Sequence, residues 1–455
     1  MNFTAKVVFL YIFILGLAFT FLVPPLQKPD EHGHFIRSVL LSHGKIFLTS
    51  NDVTLPIERQ YYDLIHDPLL NAIPYHSQMK FNTAWYIRTP FATKNAYKLV
   101  NEATWGQFML PASSYIPYAL GVSVARLLNL NAYLTFFTGR FSMFLLAFVW
   151  MLYLYKKISH TFKPILLFAF SFPMFIHQIT GHNYDAMQYM MGFSLFVLIL
   201  NLLQKQKLTL TDFCLLCAAF VSYLIMKLSF EPMILLVFLI PYKKIDNNFS
   251  RYIKKIVLVL VIILAGYFLA KSTFFISASR YMHHPIGVNP TQQVQYIFNH
   301  PLNYFQNFIQ SSLRLSKFHL QGLIGIFGWL DYSMDWRVYV LYLITGIYLI
   351  YSTIIEKRER LALWQILLIF GSVFFTYSFM LTIFYLNWKT VGSSIIDGTQ
   401  GRYFISLLPF VMLGLIQLRW FTPKWVLPQW LKILFIFVLF LLIVSIINSI
   451  QTRYY

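Results

Sequence analysis

Val7 to Val23 is a run of seventeen apolar or weakly polar residues, and runs of similar length recur along the 455-residue chain. A helix of that length crosses a bilayer with modest tilt. Hydrophobic residues make up 58% of the chain and charged residues only 11%, a balance that no water-facing globular surface tolerates. The sequence therefore reads as an all-α polytopic membrane protein. Lys6 precedes the first run, and no small-residue cleavage site follows before Pro24 and Pro25, so this run reads as an uncleaved first helix.

The formal charge of +20 invites comparison with nucleic-acid binders. Here, however, the basic residues form short clusters between apolar runs rather than one basic module, so nucleic acid is not an expected partner. Positive-inside topology explains them, and the lipid bilayer is the expected partner. Cys214 and Cys217 form a CxxC inside the apolar stretch TDFCLLCAAFVSYLIM. Two thiolates alone make no zinc site, and the pair reads as small buried residues.

Apolar length and lysine placement give about eleven transmembrane helices in a single membrane domain, 1–455, with the N-terminus inside. After helix 1 comes a long first external loop, 26–132. Within it SYIPYALGVSVARLLNL is apolar for only about fourteen residues, too few for an easy crossing, and carries Arg126. It reads as an interfacial helix. Helix 2 ends at Lys156 and Lys157, helix 3 is bent at Pro173, and helix 4, Ala186 to Leu203, ends at Lys205 and Lys207. Helices 5 and 6 form a tight pair between Leu208 and Tyr242, broken at KLSFEP. Helix 7 covers 256–270 and a second external segment 271–335. Helix 8 ends at the cluster EKRER, helix 9 runs from Leu361 to Tyr385, helix 10 starts near Tyr403, and helix 11 spans Leu431 to Ile447.

Ionisable residues beside membrane spans are costly, so each is a functional candidate. This topology puts them on one side: Asp30, Glu31, His32, His34 and Arg37 after helix 1; Arg140 near the outer end of helix 2; His177, His182 and Asp185 after helix 3; Lys227 and Glu231 at the 5/6 break; Asp331 and Asp335; and Asp397 with Arg402 in IIDGTQGRYF. Carboxylates able to act as base or metal ligand thus accompany cations able to hold an anion. Each also has a simpler reading. Asp30 and Glu31 suit the N-terminus of a helix beginning HGHFIRSVLL. His32 and His34 do not share a helix face. Arg140 has the reach to snorkel to headgroups, and Lys227 and Glu231 have i,i+4 spacing.

The order PDEHGHFIRSVLLSHGKIF, YIPYALGVSVARLLNL, GRFSMFLLAFVW, GHNYDAM, GIFGWLDYSMDW and DGTQGRYFISLLPF resembles a bacterial family of multi-pass membrane proteins, domain-of-unknown-function family 2142, allied to the GT-C glycosyltransferases. The resemblance runs from about Pro24 to Leu413. It implies a GT-C-like core, with an acidic motif in the first external loop matched by Asp30 and a second acidic position matched by Asp185. The implied activity is transfer of a sugar from a polyprenyl-phosphate donor to an envelope glycan, lipid or protein acceptor, outside the bacterial cytoplasmic membrane. On that expectation Asp30, seconded by Glu31, is the base. Arg402, Arg140 and Lys227 hold the donor phosphate, Arg402 first because a guanidinium grips it bidentately; His34, Asp185, Gln400 and Tyr403 complete the substrate site. A divalent cation is compatible with these carboxylates but not fixed by them. The rival expectations are a transporter or flippase for lipid-linked glycans, and a non-catalytic assembly partner.

Overall fold

The computed structural model describes residues 3–48, 54–84, 91–103, 111–240, 260, 286–351, 361–418 and 430–455. The chain is mostly helical. Helix α1, Phe3–Phe21, is continuous because nothing in it breaks a helix before Pro24 and Pro25. A short loop leads to α2, Glu31–Ser42, whose N-cap Asp30 is left-handed at φ 60°. Strand β1, Thr54–Glu58, is followed by two short helices, α3, Arg59–Ile65, and α4, Pro68–Ala72, before β2, Leu99–Ala103. The strands pair antiparallel, with Leu55 opposite Glu102 and Glu58 opposite Leu99. This small sheet departs from the all-α expectation.

Helix α5, Ile116–Leu127, has proline in its first turn, where the missing N–H has no intrahelical partner to lose. It occupies the stretch expected to be interfacial, and it exposes Ile116, Leu120, Val124 and Leu127 along one side. Helix α6, Ala132–Lys157, starts where the Asn131 side chain accepts from the Leu134 N–H. Then α7, Lys163–Phe170, and α8, Pro173–Ile179, meet at a 72° bend. The break falls at Pro173 as expected, because proline cannot donate to the preceding turn. Helix α9, Asp185–Gln204, follows, and α10, Leu210–Met226, begins at a capping box of Thr209 and Asp212. At Lys227 the backbone is extended, and Leu228–Leu239 continues as a 3-10 helix, so the expected break at KLSFEP is present.

Beyond it lie α11, Pro290–Asn299, and α12, Pro301–Ile324. Strands β3, Ile326–Phe327, and β4, Tyr332–Ser333, form a tight hairpin. Four more helices complete the chain: α13, Trp336–Tyr351; α14, Leu363–Trp388; α15, Leu408–Gln417, which follows a 3-10 turn over Gly401–Leu407; and α16, Trp430–Tyr454.

Among the described residues five helices are long and apolar enough to cross a membrane, or six if the bent α7–α8 pair counts as one span. The number is smaller than eleven because α10, the 3-10 helix after it, α13 and α15 are each too short to qualify. Expected helix 7, apart from residue 260, and the EKRER cluster lie outside the described residues. Cys214 corrects another expectation: it is exposed and Cys217 half-exposed, on a helix whose outer side is apolar.

Helices α1 and α6 run antiparallel. Phe9 meets Tyr155 at one end, with ring centroids 5.7 Å apart, while Arg140 reaches the carbonyls of Thr20 and Val23 at the other. Asn201 donates to the Lys157 carbonyl at 3.2 Å, so the lysine-bearing ends of α6 and α9 lie together, away from Arg140 and Asp185. The end of α16 joins the Arg140 end, where the Tyr455 hydroxyl donates to Leu22 O and Arg453 pairs with Asp331.

Candidate functional site

The end of α1 is built around one buried ion pair. Arg140 Nε donates to Glu31 Oε1 at 2.8 Å and Nη2 to Oε2 at 2.6 Å, with both side chains wholly buried. The remaining guanidinium hydrogens close the chain leaving α1, donating to the carbonyls of Val23 at 2.6 Å, Pro24 at 3.0 Å and Thr20 at 3.3 Å. The His182 N–H also donates to Glu31 Oε1 at 3.0 Å. Burial works against the Glu31 carboxylate, but Arg140, joined by Lys28 and His182, holds the pKa below the usual range. Arg140 therefore does not snorkel, and both members of the pair are fully engaged.

Lys28, which the sequence did not single out, is also buried here. Its Nζ donates to His177 O at 2.7 Å and Thr180 Oγ1 at 3.0 Å, and burial pushes its pKa well down. A Cβ on Gly181 would stand 2.3 Å from the Lys28 chain, so a side chain there would displace the lysine. Lys28, Glu31 and Arg140 together fix the 180–184 loop, which delivers Asp185 to the first turn of α9.

Asp30 behaves unlike its neighbour. It is exposed, makes no side-chain cap, and its carboxylate has no hydrogen-bond or ion-pair partner among the described residues. Behind it, His34 Nδ1 lies 2.7 Å from the Tyr115 hydroxyl, and its ring centroid is 5.7 Å from that of Tyr184. Burial pushes the His34 pKa down to about 4, with Asp30, Asp185, His32 and Arg402 making up its charged surroundings. His34 and Tyr184 thus sit between the acidic loop and the cations.

On the far side, Lys227 Nζ donates to Asp185 Oδ1 at 2.8 Å. The same ammonium lies over the ring of Tyr403 at 4.0 Å and of Tyr184 at 5.1 Å. The i,i+4 pairing with Glu231 is not formed, since the extended backbone at Lys227 destroys the helical register. Arg402 is different again: it is buried, 5.5 Å from the Tyr403 ring centre, and its Nε has no hydrogen-bond partner among the described residues. Gln400 Oε1 is likewise buried and without a partner among those residues. The turn is held by the Tyr189 hydroxyl, which donates to Arg402 O at 2.9 Å, and by Gly401, where a Cβ would fall 2.0 Å from His319 O.

The structure thus brings Asp30, His34, Asp185, Lys227, Arg402 and Tyr403 to one end of the bundle, and keeps Glu31 and Arg140 beneath them as buried support. Among the described residues no three His, Cys, Asp or Glu side chains converge as a metal site. Tyr115, Tyr184 and Lys28 went unread because their partners are distant in sequence; His182 was already a candidate, in the GHNYD stretch that also holds Tyr184.

Burial also pushes His182 down to about 3. Both His34 and His182 are therefore neutral in the fold until the pH falls to about 4 or below, whereas in the unfolded chain they take protons from about pH 6.5. The unfolded state binds more protons in that window, so stability should fall as pH drops from 6.5 towards 4, by at most about 1.4 kcal/mol per pH unit for each ring. Thermal unfolding of detergent-purified protein across this range should show the slope, and His34→Gln should flatten it.

Several long apolar helices carry a polar cluster at one end of the bundle, which defines a polytopic membrane protein. The chain belongs to the family described as predicted membrane protein, domain of unknown function 2142, whose pattern it matches over residues 13–411. Neither a curated protein nor a solved structure matches it.

Proposed function

We propose that this protein is a GT-C-type glycosyltransferase of the bacterial plasma membrane. On this reading it moves a sugar from a polyprenyl-phosphate donor to an envelope glycan, lipid or protein acceptor on the external face. The observation that carries the reading is the pairing, in one cluster, of an unpartnered carboxylate at Asp30 with a buried, under-satisfied guanidinium at Arg402. The acceptor hydroxyl attacks the anomeric carbon and gives its proton to Asp30. The bond from that carbon to the phosphate oxygen breaks, and its electron pair leaves on the lipid phosphate, where Arg402 stabilises the charge. Lys227 adds positive charge from its pair with Asp185, while Gln400 and Tyr403 border the phosphate. Lys156, Lys157, Lys205 and Lys207 gather at the opposite end, which supports a cytoplasmic N-terminus and an external site.

The test is release of polyprenyl phosphate by purified protein from a panel of polyprenyl-phosphate sugars with mixed glycan and lipid acceptors. Arg402→Ala should lower donor use at least about tenfold, and Arg402→Lys should recover only part, since an ammonium lacks the planar fork. Donor binding without release of lipid phosphate in any mixture would favour a carrier and overturn the proposal.

A further inference from the structure

Helix α12 has two unlike faces. The inner face is locked to the loop that carries Arg402: Ile396 N donates to Ser311 Oγ at 2.9 Å, His319 Nε2 lies 2.9 Å from Thr399 Oγ1, and Gly322 packs against the backbone of Gly401. The same face sets the helix's level along the bundle. Phe308 packs with Leu381 and Tyr385, and the Tyr304 hydroxyl is 2.6 Å from Thr382 Oγ1. These partners stand in the last turns of α14, a candidate span ending at Trp388. At 1.5 Å per residue, Thr382 is only about 9 Å below that end.

The outer face, at the same level, is apolar. Leu302, Phe305, Ile309, Leu313 and Leu320 are 81%, 60%, 41%, 70% and 50% exposed, and helical geometry places all five within an arc of roughly 80°. The sequence from Pro301 to Ile324 contains no acidic residue, while Lys317 is exposed beside the stripe and Arg314 is exposed further round, on the side of Ile396 and Asp397. A face this apolar is costly in water, yet α12 is too polar overall to span. An apolar stripe with a cationic border, held where a span ends, matches the boundary between acyl chains and anionic headgroups.

We infer that α12 is an interfacial helix lying in the leaflet at the site end of the bundle. Its stripe enters the acyl boundary, and Lys317 meets the phosphates of anionic lipids. Because its inner face seats Gly401, this contact also sets the position of Arg402.

The test uses full-length protein with Cys214→Ser and Cys217→Ser, carrying an environment-sensitive fluorophore on a single cysteine at position 305 or 313, in the stripe, or at position 303 or 310, beside it. The samples are nanodiscs of phosphatidylcholine with or without phosphatidylglycerol. Labels at 305 and 313 should be quenched by a shallow nitroxide lipid and be at least about threefold less accessible to iodide than those at 303 and 310. Phosphatidylglycerol should deepen this contrast, and Lys317→Ala should remove the increment. Equal iodide access at all four positions would overturn the inference. So would shielding at 305 and 313 without nitroxide quenching but with cross-links between copies, which would assign the stripe to a second copy of the chain.

Discussion

Arg140→Met is expected to cost about 3–5 kcal/mol of stability, the usual consequence of breaking a buried ion pair from one side. The substitution strips Glu31 of both guanidinium hydrogen bonds and leaves three carbonyls at the end of α1 without their donor. Thermal unfolding in detergent should therefore show a large fall in midpoint and a poor yield of monodisperse protein. Arg140→Lys should recover little, because one ammonium cannot reach the carboxylate and all three carbonyls together. Adding Glu31→Gln to Arg140→Met should regain part of the loss by removing the orphaned charge, and the double-mutant cycle measures that coupling. Wild-type stability of Arg140→Met would show that the pair supports nothing.

This pair also shows where the sequence stops being legible. Composition is enough to read the long spans, because a helix in lipid must be apolar along its length; α6 at 132–157 and α9 at 185–204 were visible within a few residues. The partner of a buried charge is set instead by packing between distant segments. Arg140 finds Glu31 109 residues away, and Lys227 bypasses Glu231 for Asp185, 42 residues away. Local spacing at Lys227 pointed to the wrong carboxylate because an extended residue replaced the helix that the spacing assumed. The β1–β2 ladder failed for a related reason: its strands are five residues each and forty residues apart, and neither carries enough alternation to stand out. The gathering of charged residues near one end of the bundle was legible, since it followed from alternating spans. Which of them are already occupied was not.

Asp30→Asn should separate the two adjacent carboxylates by their readouts. The Asp30 side chain is exposed and caps nothing, and asparagine tolerates a left-handed backbone as well as aspartate does. Its replacement should leave the melting temperature within a few degrees of wild type, the small change coming from lost charge at the start of α2. Turnover should nevertheless fall by about 10²–10⁴-fold, the usual contribution of a positioned general base, with donor affinity little changed because Arg402 is untouched. Glu31→Gln should do the reverse in kind: it weakens the Arg140 cage and the His182 contact, so stability falls first and activity follows in proportion to folded protein. Wild-type turnover by purified Asp30→Asn would remove the base from the proposed reaction. A matched loss of stability and turnover in both variants would assign Asp30 to the same support as its neighbour.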